Sequence, residues 1–291
     1  MADVYALHEG GFGRAVVLEL RDDLVAHAHA ESHFAFWLGG APVEARLSDT
    51  VVRYSEDVAL GTNEYESHDA RLLDRSGPAI FLALYLSREW LERVRAESGR
   101  PFFFPLPRVP ISAPLRRACW RVLDHILSQQ QSQGDEIDRE VEELVQTAID
   151  ATLAPVPPES LPKRTAMLDH RLREAIAYMR EHVHEPLCAE EIAGRVGLSR
   201  TQLFTLFRDQ LHTTPQVFWS AVRVEEAVRR LLQSKKPQAL TSLALDLGFS
   251  SPGNFSRFFR DHMGVSPSGF RRAAGAGLQT GLQHTLTGVR E

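Results

Sequence analysis

The chain has 291 residues, of which 43% are hydrophobic and 24% charged, and its formal net charge is −5. These are the proportions of a globular protein with room for two domains, each burying its own core. No apolar run approaches the length of a membrane span, and the two cysteines, Cys119 and Cys188, are too few for a disulfide framework and lack C-x-x-C spacing for structural zinc. Both thiols are expected to be buried or inert. The opening MADVYALHEG lacks a basic patch followed by an apolar stretch, so a secretory leader is not expected, and the cytoplasm is the expected compartment. The charge is unevenly spread: residues 163–291 carry 18 Lys and Arg against 12 Asp and Glu, whereas residues 1–162 carry 15 against 26. Such a split suggests that only the C-terminal part approaches phosphate.

In chain order, residues from about 14 to 86 hold short β-rich runs, RAVVLEL, HFAFWL, TVVRY and AIFLALYL. They are separated by turn signals such as Gly39-Gly40 and Ser76-Gly77-Pro78, a pattern that predicts a small antiparallel barrel or sandwich. After Pro114 the period changes. Leu115, Cys119, Val122, Leu123, Ile126 and Leu127 predict one amphipathic helix at about 112–131. Ile137, Val141, Leu144, Val145 and Ile149 predict a second at 135–153, after a turn near Gly134-Asp135. The segment 154–164, APVPPESLPKR, has four prolines in eleven residues and reads as an interdomain linker.

Beyond it the chain is helical in pattern and repeats itself. EIAGRVGLSRTQLFTLFRDQLHTTPQVFW aligns with SLALDLGFSSPGNFSRFFRDHMGVSPSGF, pairing Gly197 with Gly248 and Phe207-Arg208-Asp209 with Phe259-Arg260-Asp261. In the first copy a short helix bearing Ile192, Ala193 and Val196 stops at Gly197. Ser199 and Gln202 then form a capping box for a helix with Leu203, Leu206 and Phe207 inward, so that Thr201, Thr205 and Arg208 face outward. The second copy has Leu243, Ala244 and Leu247 before Gly248, then Ser251-Pro252 as N-cap and first-turn proline. Phe255, Phe258, Phe259 and Met263 point inward there, and Gly253, Arg257 and Arg260 outward. Each copy is a helix-turn-helix whose second helix suits a major groove. The helix from Thr214-Pro215 to about Gln233 separates the two by about 27 Å, near one DNA turn.

These stretches, above all DLGFSSPGNFSRFFRDHMGVSPSGFRR, resemble the DNA-binding domain of the AraC/XylS family over residues 165–274. The resemblance implies that both second helices enter adjacent major grooves, with Thr201, Phe204, Thr205, Pro252, Gly253 and Arg257 at base-reading positions. Arg257 is the residue expected to read a guanine, the alternative being a phosphate contact or a solvated surface arginine. Arg200, Arg208 and Arg260 are expected on phosphates.

The family commonly carries a cupin-like sensor barrel upstream. His27-x-His29 with His33 is similar to the first cupin motif, with histidine in place of its glutamate, and His68 stands where the second motif has its histidine. Four imidazoles are suited to a divalent metal, but the favoured expectation is no metal and no cofactor, with His27, His29, His33, Trp37 and His68 contacting an effector. The expected fold class is a two-domain α+β protein. A cupin-like β-barrel with an α-helical dimerisation pair spans 1–153, the linker 154–164, an all-α double helix-turn-helix domain 165–275, and a tail 276–291. Packing of the helical pair onto its own barrel is the alternative to dimerisation.

The function implied is a non-enzymatic transcription regulator that binds double-stranded DNA, a small-molecule effector and RNA polymerase as a homodimer, away from membranes. Two alternatives remain open. One is a constitutive dimeric regulator without effector. The other is a metal-dependent cupin enzyme fused to a DNA-binding domain, although no paired carboxylates or nucleophile–base arrangement accompany the histidines.

Overall fold

The apolar alternation of the first part of the chain produces strands wherever one or both faces can be covered. The structure, a computed structural model, describes residues 4–47, 49–99, 103–128, 134–153, 168–232 and 238–275. The expected linker 154–164 and tail 276–291 lie outside the described residues. Strands β1 (Val4–Gly10), β2 (Gly13–Leu20), β3 (Leu24–His27), β4 (Ser32–Gly40), β5 (Val43–Leu47), β6 (Thr50–Arg53), β7 (Val58–Thr62), β8 (His68–Leu72) and β9 (Ala79–Leu86) are joined by β10 (Arg108–Pro110) after a short helix. They form two antiparallel sheets, ordered β1-β2-β9-β4-β7-β10 and β3-β8-β5-β6. β9 is buried along its whole length, which is why its sequence is an unbroken apolar run instead of an alternating one.

The two-residue period sorts the side chains of β4. Ala35 joins Leu20, Val43, Val52, Leu60 and Phe81 in a core that both sheets share. Phe34 and Phe36 point the other way and pack beneath α2 (Ala113–Ser128) and α3 (Gly134–Leu153). Leu115, Cys119, Val122 and Leu123 of α2 and Val141, Leu144, Val145 and Ile149 of α3 are buried in that same cluster. The apolar stripes of the expected dimerisation pair are therefore consumed inside the chain, as a cover for the six-stranded sheet. Each such side chain contributes about 1.5–3 kcal/mol by leaving water. The intervening helix α1 (Arg88–Ser98) has a cap that accepts from the Trp90 amide at 3.3 Å, Ser87, and it closes on Gly99 at φ 65°.

The remaining helices are α4 (His170–Glu181), α5 (Ala189–Arg195), α6 (Arg200–Leu211), α7 (Pro215–Leu232), α8 (Leu240–Asp246), α9 (Pro252–Met263) and α10 (Pro267–Gly275). α4, α5, α6 and the first half of α7 close one core, around Leu203, Phe207 and Phe218. α8, α9, α10 and the second half of α7 close another, around Phe255, Phe259 and Phe270. Both cores extend into the β-domain. Ala28, Ala30 and Tyr65 belong to the first, and Val4, Val16, Ala83 and Tyr85 to the second. Among the described residues no helix is long and apolar enough to cross a membrane.

Candidate nucleic-acid interface and barrel cavity

The two helix-turn-helix units owe their shape to a handful of local interactions. In the first, Gly197 ends α5 at φ +68°, a conformation that costs an L side chain about 1–2 kcal/mol. The expected capping box forms on α6: the Gln202 amide donates to Ser199 Oγ at 3.2 Å, and the Ser199 amide donates to Gln202 Oε1 at 2.8 Å. In the second unit Gly248 takes φ +71°, and Ser251 Oγ accepts from the Asn254 amide at 3.2 Å before the proline-led first turn of α9. Gly248 also lies against the first unit. A Cβ there would sit 2.1 Å from the His184 carbonyl oxygen, in the connection between α4 and α5.

The helix faces distribute the expected contact residues unevenly. Arg200, Thr201 and Arg208 are exposed on α6, while Phe204 and Thr205 are half-buried. The Arg200 guanidinium lies 5.0 Å from the Phe204 ring and 3.0 Å from a Glu190 oxygen, and Arg208 pairs with Asp209 at 3.5 Å. These exposed pairs are weak enough for phosphate to replace the carboxylates. On α9, Gly253, Arg257 and Arg260 are exposed and Pro252 is half-buried. Arg257 makes no ion pair among the described residues and is exposed, with its planar fork of donors on the outer face of α9.

Arg223 on α7 was not singled out by the sequence, yet it braces the second unit. Its guanidinium donates to the Leu247 carbonyl at 2.5 Å and stacks 3.9 Å from the centre of the Phe249 ring. Partial burial depresses its pKa to about 10. An isolated arginine in a helical stripe carries no local signal of such a role.

The second feature is a cavity of about 60 Å³ between the sheets and the end of α9. Its barrel walls include His27 from β3, His33 and Ala35 from β4, His68 from β8, Tyr85 from β9, and His29 from the β3–β4 connection. Its outer wall is His262, Met263 and Gly264, where α9 ends. Trp37 shares the face of His33 and Ala35 but is not among the residues that line the cavity, and its indole donates to the Ala41 carbonyl at 3.3 Å. Phe36, on the opposite face, stacks edge-on to Trp120.

The histidines converge. Ring centres are 4.9 Å apart for His27 and His29, 4.5 Å for His27 and His68, and 5.3 Å for His29 and His68, and one nitrogen from each lies within 4.8 Å of the others. Because a carbonyl only accepts, His27 Nδ1 must donate to Val25 O at 2.7 Å and His68 Nδ1 to Glu66 O at 2.9 Å. Those bonds fix the tautomers and leave both Nε2 lone pairs available. His33 stacks on Tyr85 at 4.8 Å, with both of its ring nitrogens buried and unpartnered. Burial is the main force that drives His27, His29 and His33 well below the ordinary histidine range and lowers His68 and His262 as well. For His27 and His29, repulsion from neighbouring imidazoles adds to it. The neutral rings are acceptors or ligands, and burial likewise raises the Tyr85 hydroxyl to about 12, so it stays a donor.

Residues 192–273 match the helix-turn-helix domain family. The HTH-type transcriptional regulator ArgR of Pseudomonas aeruginosa is 33% identical over 112 residues, covering 38% of this chain and 33% of that protein. The HTH-type transcriptional activator RhaS of Klebsiella pneumoniae is 29% identical over 167 residues, covering 55% and 59%. The matches thus span between a third and three fifths of these curated relatives. Among solved structures, wild-type ToxT from Vibrio cholerae with an unsaturated fatty acid bound has a TM-score of 0.57 at 14% identity, over 96% of this chain and 97% of that one. That likeness establishes the two-domain fold, a β-domain followed by a helical one.

Proposed function

We propose that the protein is a sequence-specific DNA-binding transcription regulator of the AraC type, controlled from its β-domain, because residues 192–273 match a helix-turn-helix domain family. The observation that carries the reading is the pair of capped helix-turn-helix units, which α7 holds together and which match a helix-turn-helix family over residues 192–273. α7 is 18 residues, or about 27 Å, long, which supports two reading helices engaging successive major grooves on one face of a duplex.

Arg257 reads base edges, and Arg200, Arg208 and Arg260 hold phosphates. Thr201, Phe204, Thr205, Pro252 and Gly253 offer few bidentate donors, so specificity leans on shape and apolar contact as well. The cavity between barrel and α9 is the effector site, and its wall of His262, Met263 and Gly264 supports coupling to the second unit. An effector works here only by binding the α9-docked and α9-released states unequally. The protein acts in the cytoplasm as a homodimer that contacts RNA polymerase, and it carries out no catalysis. The relatives named above are transcription regulators, which supports that reading.

The test is genome-wide recovery of DNA fragments bound by the full chain, at a salt concentration where non-specific binding is lost. An enriched sequence with half-sites spaced by about one helical turn is expected. Recovery of no enriched sequence overturns the proposal.

A further inference from the structure

The DNA-binding surface leaves the buried histidines unused. We propose that His27, His29 and His68 bind a divalent transition-metal ion of the zinc class, that His262 of α9 completes its coordination, and that the ion is the signal pinning the second helix-turn-helix unit to the barrel. The regulatory part rests on the DNA-binding reading above; the metal site does not.

Three observations carry it. First, one nitrogen from each of the three barrel histidines already lies within 4.8 Å of the other two. A tetrahedral zinc ion holds nitrogen donors roughly 3.3 Å apart, so side-chain rotations of about 1 Å close the set. Second, the set is all imidazole, which favours zinc, cobalt, nickel or copper over magnesium or calcium, and two of its Nδ1 atoms are already anchored to backbone carbonyls. Third, His262 carries the same anchor: its Nδ1 donates to Phe258 O at 2.8 Å, and its ring stands 6.4 Å from His27 across the cavity. Three ligands from the barrel and one imidazole of the reading helix thus line the same cavity of about 60 Å³, which has room for an ion and water.

The experiment uses the full chain purified without a histidine tag and titrated with Co2+ and Zn2+. One Co2+ per chain is expected, with the visible absorption bands of a nitrogen-coordinated ion, displaced by Zn2+. His29→Ala and His68→Ala each weaken binding by more than about 100-fold, whereas His125→Ala, on α2 against Glu140, leaves it unchanged. His262→Ala alters the Co2+ spectrum. Zn2+ slows amide exchange over residues 255–265 in the parent chain and not in His262→Ala.

Independently of any variant's folding, Zn2+ at 100-fold over Kd raises the parent Tm by on the order of 5 °C. Absence of 1:1 binding by the parent chain, or binding untouched by His29→Ala in a folded variant, overturns the site. A spectrum altered by His33→Ala and not by His262→Ala overturns the bridging role. With operator fragments in hand, Zn2+ changes DNA affinity by about fivefold or more. Unchanged affinity overturns the regulatory part, whereas failure to recover any fragment overturns the DNA-binding reading and leaves the metal site standing.

Discussion

Gly197 and Gly248 occupy equivalent turns of a repeat, yet alanine should cost them different amounts. Both have positive φ, at +68° and +71°. An alanine there bears about 1–2 kcal/mol of strain, partly offset because it also restricts the unfolded chain. At Gly197 a Cβ meets no atom within 4 Å, so Gly197→Ala loses about 1 kcal/mol and no more. At Gly248 the same atom falls 2.1 Å from the His184 oxygen and 2.9 Å from its carbonyl carbon, where ordinary contact begins near 3.4 Å. The obstacle is backbone, so a segment between α4 and α5 must retreat by more than an ångström. Overpacking of that kind adds about 1–3 kcal/mol, bringing Gly248→Ala to roughly 2–4 kcal/mol. Urea titration of the full chain followed by far-UV circular dichroism measures both, from the shift in midpoint at unchanged slope. Equal losses at the two glycines, or a larger loss at Gly197, would show that the second turn is not buttressed by the first unit.

Further outcomes follow from the reading surface and its brace. Arg257→Ala is expected to relax preference at one base pair by about 1–3 kcal/mol, measured by competition among single-substituted operators; unchanged preference makes it a phosphate contact. Arg208→Ala should weaken binding evenly across sequences and reduce the slope of log affinity against log salt by about 0.9, with an unchanged slope counting against a phosphate role. Arg223→Ala removes a hydrogen bond to the Leu247 carbonyl and the stacking on Phe249, for a loss of about 2–3 kcal/mol. Arg223→Lys should recover only part of it, since an ammonium lacks the planar stacking face. Full recovery by lysine would refute the stacking contribution.

The helical half was legible because its signals are local. Glycine stops, serine caps and 3.6-residue stripes are each decided within a few residues, so both helix-turn-helix units fall where the repeat puts them. The strands at β2, β4, β6 and β9 were legible for the same reason. β1 was not anticipated, because VYALHEG breaks its alternation with charged residues near a sheet edge. Nor was α1, although Ser87 followed by Trp90, Leu91 and Val94 was a readable cap and stripe.

What the α2 and α3 stripes could not disclose was their partner. Periodicity reports that a face is buried but not whether a second protomer or the chain's own barrel covers it, the two options left open; here the sheet surface under Phe34 and Phe36 supplies the cover. Trp37 stands outside the cavity lining although it shares the face of His33, because alternation fixes a side but not a depth along the strand. The place of His262 in the cavity wall arises from contact between residues more than 190 positions apart, which no local pattern encodes.

α9 carries Pro252 and Gly253, proposed to face DNA, at one end and the cavity-lining His262 and Met263 at the other. The 12 residues between Pro252 and Met263 form a rod about 18 Å long. A hydrogen-bonded helix of that length does not bend to absorb a push; it tilts or slides as a unit. A displacement of one ångström imposed at Met263 therefore reappears, nearly undiminished, at Pro252 and Gly253. Base hydrogen bonds are made within a window of about half an ångström, so a shift of this size is enough to break register with the groove. On the proposed reading, sensing and reading are separated by the length of one helix, with no relay in between.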